Sequence, residues 1–354
     1  LVIHEMDGFA GAIGISDSKG KSTPVYTVIE PNEEVDLKYI LFLLREMSNS
    51  GKIESLAKSI RERTTDFRYK IWSTILFPFP PINEQKKISR YLEISNNKID
   101  KLINDSRKKI NLLEELKTVL INQCISKGLD KNIEFKDTKE NWIKKIPAHW
   151  SMKPIGSLLI DRNEKNDPIK TTNILSLSAD KGVTPYSEKG AAGNKSKEDL
   201  TQYKIACEGD IVINSMNIVS GSVGISNYKG LVSPVYYMLR PANTEDLVKY
   251  FYYIFKDQQF QKSLFGVGTG ILFKESKKSG KFNTVRLRIP LTKLKSIKIP
   301  YTNPQEQKTI VNYLERLDKK YNKIIEFQKK KIDLLNEYRK SLISNVVTGK
   351  QKVF

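Results

Sequence analysis

Gly11-Ala12-Ile13-Gly14-Ile15-Ser16, followed by Lys19-Gly20 and Pro24-Val25-Tyr26, returns 210 positions later as Gly221-Ser222-Val223-Gly224-Ile225-Ser226, Lys229-Gly230 and Pro234-Val235-Tyr236. Aligned without a gap, Leu1–Ile29 and Ile211–Leu239 share 12 identical pairs of 29. A second block, at offset 222, sets Glu84–Ile121 on Glu306–Ile343 with almost half of its pairs identical. The chain is thus a duplicated unit, a glycine-punctuated β-rich portion followed by a long polar helix. Two copies make a pseudo-two-fold arrangement, whereas a solenoid needs three or more repeats. Residues 151–210 have no counterpart ahead of Leu1, so the first globular portion is expected to be incomplete at its start.

The second copy shows the unit whole. Asp210-Ile211-Val212-Ile213 and Val235-Tyr236-Tyr237-Met238-Leu239 set β-branched and aromatic residues between Gly, Asn and Pro breaks, which predicts strands. Leu247 to Phe265, with Tyr250, Phe251, Tyr253, Ile254 and Phe260, reads as an amphipathic helix on that sheet. Each globular portion is expected to be α+β. Pro80-Pro81-Ile82-Asn83 and Pro300-Tyr301-Thr302-Asn303-Pro304 precede acidic first turns and mark helix starts.

A helix over Asn83–Ser126 would span about 66 Å at 1.5 Å per residue. Apolar positions step by three and four along it: Ile88, Leu92, Ile99, Leu102, Ile110, Leu113, Leu116 and Leu120. The second copy offers Ile310, Leu314, Tyr321, Ile324, Ile332, Leu335, Tyr338 and Leu342. Such stripes predict an antiparallel coiled coil between the copies. Ser106, Lys109, Gln328 and Lys331 interrupt it, and polar breaks of this kind can fix register. The expected domains are a first globular domain over 1–82, a spacer helix over 83–126, a linker over 127–150, a second globular domain over 151–303, a second spacer helix over 304–348 and a tail over 349–354.

The chain of 354 residues carries 60 Lys+Arg against 40 Asp+Glu, a formal charge of +20 that points to a polyanionic partner, most simply duplex DNA. Residues 1–82 have a net charge of −1, whereas residues 211–300 have +10. Lys274, Lys277, Lys278, Lys281, Arg286, Arg288, Lys293, Lys295 and Lys298 stand against Glu275 alone. This run, above all the loop from Lys274 to Arg288 with Lys277, Lys278, Lys281 and Arg286, is the candidate phosphate contact; the alternative is a solvated loop edge. Asn214, Asn217 and Ser220, in the polar turn after Ile213, are candidates for reaching base edges, since Asn suits bidentate pairing with adenine. Ordinary turn chemistry explains them equally well.

Other chemistries find little support. Gly14 and Gly20-Lys21-Ser22 miss the phosphate-loop spacing by one residue, and the second copy has Leu231 where the lysine would stand. No Asn-Pro-Pro-aromatic methylase motif is present. His149, beside Trp150 and after Pro147, reads as a packing or turn-capping residue rather than a general base. Two cysteines, Cys124 and Cys207, and two histidines support neither a disulfide framework nor a zinc centre. The longest apolar run, Tyr39–Leu44, is too short to cross a membrane, and no export signal opens the chain. The expected location is the cytoplasm.

In order, and twice over, these motifs resemble the specificity subunit of type I restriction-modification systems, the HsdS family. The resemblance is carried by Pro80-Pro81 with Glu84-Gln85, by Pro300 with Glu306-Gln307, and by Trp142-Ile143-Lys144-Lys145-Ile146-Pro147-Ala148-His149-Trp150. Gly209-Asp210-Ile211-Val212-Ile213 and the helix ending Leu334-Leu335-Asn336-Glu337-Tyr338-Arg339 through Val346-Val347-Thr348-Gly349-Lys350 add to it. It implies two target-recognition domains, each reading half of a split DNA sequence, spaced by paired helices that dock two methyltransferase subunits. Translocating restriction subunits would join that core. S-adenosylmethionine, ATP and magnesium would sit on those partners and none on this chain, which would catalyse nothing. A coiled-coil scaffold, a standalone enzyme and an inactive remnant of a rearranged specificity locus remain open as alternatives.

Overall fold

The computed structural model describes residues 1–56, 73–76, 78–189, 199–270, 274–275, 282–283 and 287–353. Four helices carry the architecture: α1 (Leu37–Asn49), α2 (Ile82–Lys127), α3 (Val248–Lys256) and α4 (Pro304–Val347). The chain divides into two compact units, one of residues 1–112 and 323–354, the other of residues 113–322. Both long helices therefore contribute to both units.

In the first unit, β1 (Val2–His4) lies between β2 (Ile13–Gly14) and β3 (Tyr26–Val28), antiparallel to both. Helix α1 starts where Asp36 Oδ1 accepts the Tyr39 amide at 2.9 Å, a side-chain cap of an otherwise orphaned donor. It buries Tyr39, Ile40, Leu43, Leu44 and Met47. That core takes in Ile88 and Leu92 from the start of α2, and Leu342, Ile343, Val346 and Val347 from the end of α4.

The second unit repeats the plan. Its main sheet has the order β6 (Val223–Ile225), β5 (Ile211–Asn214), β7 (Tyr236–Pro241), β4 (Leu159–Arg162), all neighbours antiparallel. Helix α3 lays Tyr250, Phe251, Ile254 and Phe255 into a core that also holds Cys124 and Ile125 from the end of α2, and Ile310, Val311 and Leu314 from the start of α4.

One buried glutamine joins each long helix to its unit. Gln85 Oε1 accepts the Asp36 amide, and its Nε2 donates to the carbonyls of Glu34 and Pro80. Gln307, its repeat equivalent, accepts the Leu247 amide and donates to Asp246 Oδ1 and to the Thr302 carbonyl. Asp246 and Thr302 are themselves the repeat equivalents of Asp36 and Pro80. One bond is the same in both copies, from the glutamine Nε2 to the carbonyl five residues before it; the other two reach the same turn through different atoms.

The helices pair antiparallel within each unit. In the first, Asp100 meets Arg339, while Leu92 shares a core with Leu342–Val347. In the second, Lys117 meets Asp318, while Ile125 shares a core with Ile310. Leu92, Ile99, Leu314 and Leu342 are buried; Ile110, Leu113, Leu120, Tyr321, Ile324, Ile332 and Leu335 are half-buried. Leu102, Leu116 and Tyr338 depart from the expected seam: they are 43%, 44% and 57% exposed, and Ile103 is buried in place of Leu102. Ile325, the equivalent of Ile103, is likewise buried beside Ile324. The reason is the heptad, since from Ile99 the alternating steps of four and three reach Ile103, Ser106, Ile110 and Leu113. Ser106 and Gln328 are buried on this register, whereas Lys109 is exposed.

Candidate nucleic-acid interface

Strand β5 is the centre from which the candidate site is built. Its last residue, Asn214, is in register with Tyr236 of β7. The chain then reverses through Ser215 and Met216 into a tight turn at Asn217, closed by Gly221 at φ 79°. Glycine suits this position, because a side chain there would strain against the backbone. Asn214 is nearly buried, and its Oδ1 accepts the Met216 amide at 3.0 Å. Asn217 and Ser220 are exposed. Ser215 is buried, with a hydroxyl that has no hydrogen-bond partner.

Arg288 borders this turn. The next residue, Ile289, donates its amide to the Ser215 carbonyl at 2.9 Å and accepts at its own carbonyl from the Tyr237 hydroxyl. Arg288 is exposed on a short strand, Leu287–Arg288, paired with Thr269–Gly270. Two further cations join from elsewhere in the sequence. Lys204 Nζ donates to the Tyr236 carbonyl at 3.3 Å, and the backbone of Lys204 bridges antiparallel to that of Lys165. Burial pushes the Lys204 ammonium below the usual lysine range; Asp161 opposes this, and Arg288 and Lys165 add to it. Asp161 is itself held by Lys295. Among the described residues, Lys165, Lys204 and Arg288 form no ion pair. The fold thus brings three cations to one region, with Asp161 also near Lys204, a charge excess suited to a polyanion.

Not all the expected residues come together here. Asn214, Asn217 and Ser220 share the turn beside Arg288. Lys274 lies on a two-residue strand paired with Phe282–Asn283, and its side chain is outside the description. Lys277, Lys278, Lys281 and Arg286 lie outside the described residues. Sequence reasoning missed Lys165 and Lys204, which stand far apart and outside any basic run; only strand pairing brings them together.

His149 Nε2 and Trp150 Nε1 each lie 3.0 Å from Glu306 Oε2, tying the segment before β4 to the first turn of α4. Among the described residues, no group of three His, Cys, Asp or Glu could hold a metal ion, and no helix is long and apolar enough to cross a membrane.

Residues 147–334, just over half of the chain, match the family model described as the type I restriction modification DNA specificity domain. The type I restriction enzyme MjaVIII specificity subunit of Methanocaldococcus jannaschii is 23% identical over 352 residues, covering 97% of this chain and 77% of that protein. The HsdS subunit from Thermoanaerobacter tengcongensis shares the fold over 92% of this chain and 74% of its own, with a TM-score of 0.51 and 16% identity. A structure described by the assembly and conformational transition of the type I R-M system aligns over 93% of this chain and 75% of that one, with a TM-score of 0.67 and 16% identity. The chain belongs to the type I restriction-modification specificity family, whose role is to supply DNA specificity.

Proposed function

We propose that this chain reads a split duplex target, one half with each globular portion, and docks two methyltransferase subunits that in turn recruit restriction subunits. Residues 1–82 and 151–303 are the recognition domains, and residues 83–126 and 304–348 the paired spacer. The observation that carries the reading is the meeting of Lys165, Lys204 and Arg288, without an ion pair among the described residues, with the Asn214–Asn217 turn in the second unit, one group suited to phosphate and the other to base edges. The chain supplies specificity, and the chemistry, with its S-adenosylmethionine, ATP and magnesium, belongs to its partners in the cytoplasm.

Docking is supported by what the helices leave exposed. Leu334 and Tyr338 of α4 are 54% and 57% exposed, and their repeat equivalents on α2, Leu112 and Leu116, are 64% and 44% exposed. An outward apolar pair maintained in both copies fits two molecules of one partner.

The test is reconstitution with the cognate methyltransferase subunit, followed by duplex binding across a salt series and methylome sequencing of cells that carry the system. Salt-dependent binding and a bipartite methylated motif are expected. A complex that binds no duplex would overturn the reading in favour of a scaffold.

A further inference from the structure

The turn that follows β5 in the second unit has a twin after β1 in the first, and the backbone bonds that close the two turns are the same. Asp7 adopts φ −113°, ψ 9°, and Asn217, its equivalent, φ −127°, ψ 13°. The Asp7 carbonyl accepts from Ala10 and Ala12 at 2.9 and 3.2 Å, and the Asn217 carbonyl from Ser220 and Ser222 at 3.0 and 3.1 Å. Gly11 at φ 83° and Gly221 at φ 79° close the two turns. Two different side chains are therefore presented from one rigid backbone.

The neighbouring polar groups are taken up by the fold. His4 Nδ1 accepts the Asp7 amide at 3.0 Å and its ring packs edge-on against Tyr26; Glu5 Oε1 accepts from the Thr27 hydroxyl. Asn214 is spent on Met216. Asp7 and Asn217 differ from these. Both are exposed, and neither side chain caps the turn that it opens, although Asp and Asn usually do so at such a position. The Asp7 carboxylate touches His4 Nδ1 at 3.2 Å, and the Asn217 carboxamide has no hydrogen bond among the described residues. In the second unit, moreover, the turn lies against the strand of Arg288, beside Lys204 and Lys165, so a duplex held there would meet Asn217.

The two heads differ in one chemical respect. A carboxamide donates and accepts, matching N6 and N7 of adenine in the major groove; a carboxylate only accepts, matching the N4 amino group of cytosine and repelling the acceptor edges of guanine and thymine. We propose that Asp7 and Asn217 are equivalent base-reading positions, so that the first unit requires a cytosine where the second requires an adenine. The inference rests on the reading of both units as recognition domains and adds which residues choose the bases.

The test uses the reconstituted complex with its methyltransferase subunits and reads the methylated motif. D7N should change one required base in one half-target from cytosine to adenine and leave the other half unchanged; N217D should do the converse in the other half. Competition binding on duplexes that differ at that one base pair should show a preference of roughly 5- to 150-fold, abolished by D7A or N217A. That second readout decides the matter if D7N is inactive. An unmoved motif, or an undiminished preference in D7A, would overturn the assignment while leaving the proposed function standing. Failure of the wild-type complex to bind any duplex would instead defeat the proposed function.

Discussion

Lys117 Nζ lies 3.0 Å from Asp318 Oδ1 and 3.1 Å from Asn322 Oδ1 across the helix pair, and the duplication returns that contact as Arg339 against Asp100. Position 339 is 117 displaced by 222, and position 322 is 100 displaced likewise. Antiparallel pairing of two copies of one helix requires every cross-helix contact to occur twice, and these two do. K117D should therefore cost about 0.5–1 kcal/mol, and K117D combined with D318K should recover most of it, as expected for partly exposed ion pairs. A double-mutant cycle in urea measures the coupling, and independent, additive losses would refute the pairing.

The glutamine pins predict a larger effect. Gln85 and Gln307 are fully buried and engage three backbone or carboxylate groups each. Replacing either with Leu strands those partners without water, at about 2–3 kcal/mol per site. Because the two pins serve different units, Q85L should lower the first unfolding transition and Q307L the second if calorimetry separates them. Equal, small shifts in both variants would show that the bonds are dispensable.

Much of this was legible in the chain. Sequence identity at offsets 210 and 222 foretold the two α+β portions and the long helices, because burial imposes its period directly on residue choice. The helix seam was misjudged by one residue at Leu102, Leu116 and Tyr338: Leu102 and Ile103 are both apolar, and at the other two the facing helix selects the neighbouring cations Lys117 and Arg339. Of the site, the Asn214–Asn217 turn was visible as turn chemistry in a strand context. Lys165 and Lys204 were not, because their adjacency depends on a backbone bridge between segments 39 positions apart.

Those two lysines make a prediction about affinity. If they meet phosphate, K165A and K204A should each weaken binding of all duplexes and reduce the slope of log affinity against log salt by about one. The preferred motif should not change. Fluorescence titrations of the reconstituted complex from low to physiological salt provide the measurement. A changed motif with an unchanged slope would move these residues from positioning to reading.

Alkaline pH should destabilise the first unit. Tyr39 donates its hydroxyl to the Pro78 carbonyl at 2.9 Å, and burial, aided by the charge of Glu84, raises its pKa to about 12. A folded value above the unfolded one of 10.0 means that the stabilisation is complete below about pH 10 and is lost as pH rises towards 12. Y39F cannot ionise, so it should be weaker at neutral pH yet show a flatter decline across that window. A parallel decline in both proteins would assign the alkaline limb to another group.

The sharing of Leu342–Val347 with the core built on α1 has a consequence for biosynthesis. A ribosome makes them about 250 residues after Leu92, so Leu43, Leu44 and Leu92 must wait, unclosed, while the whole intervening stretch is synthesised. Through that interval the nascent protein carries greasy surface available to chaperones, and termination before Leu342 leaves that surface permanently open.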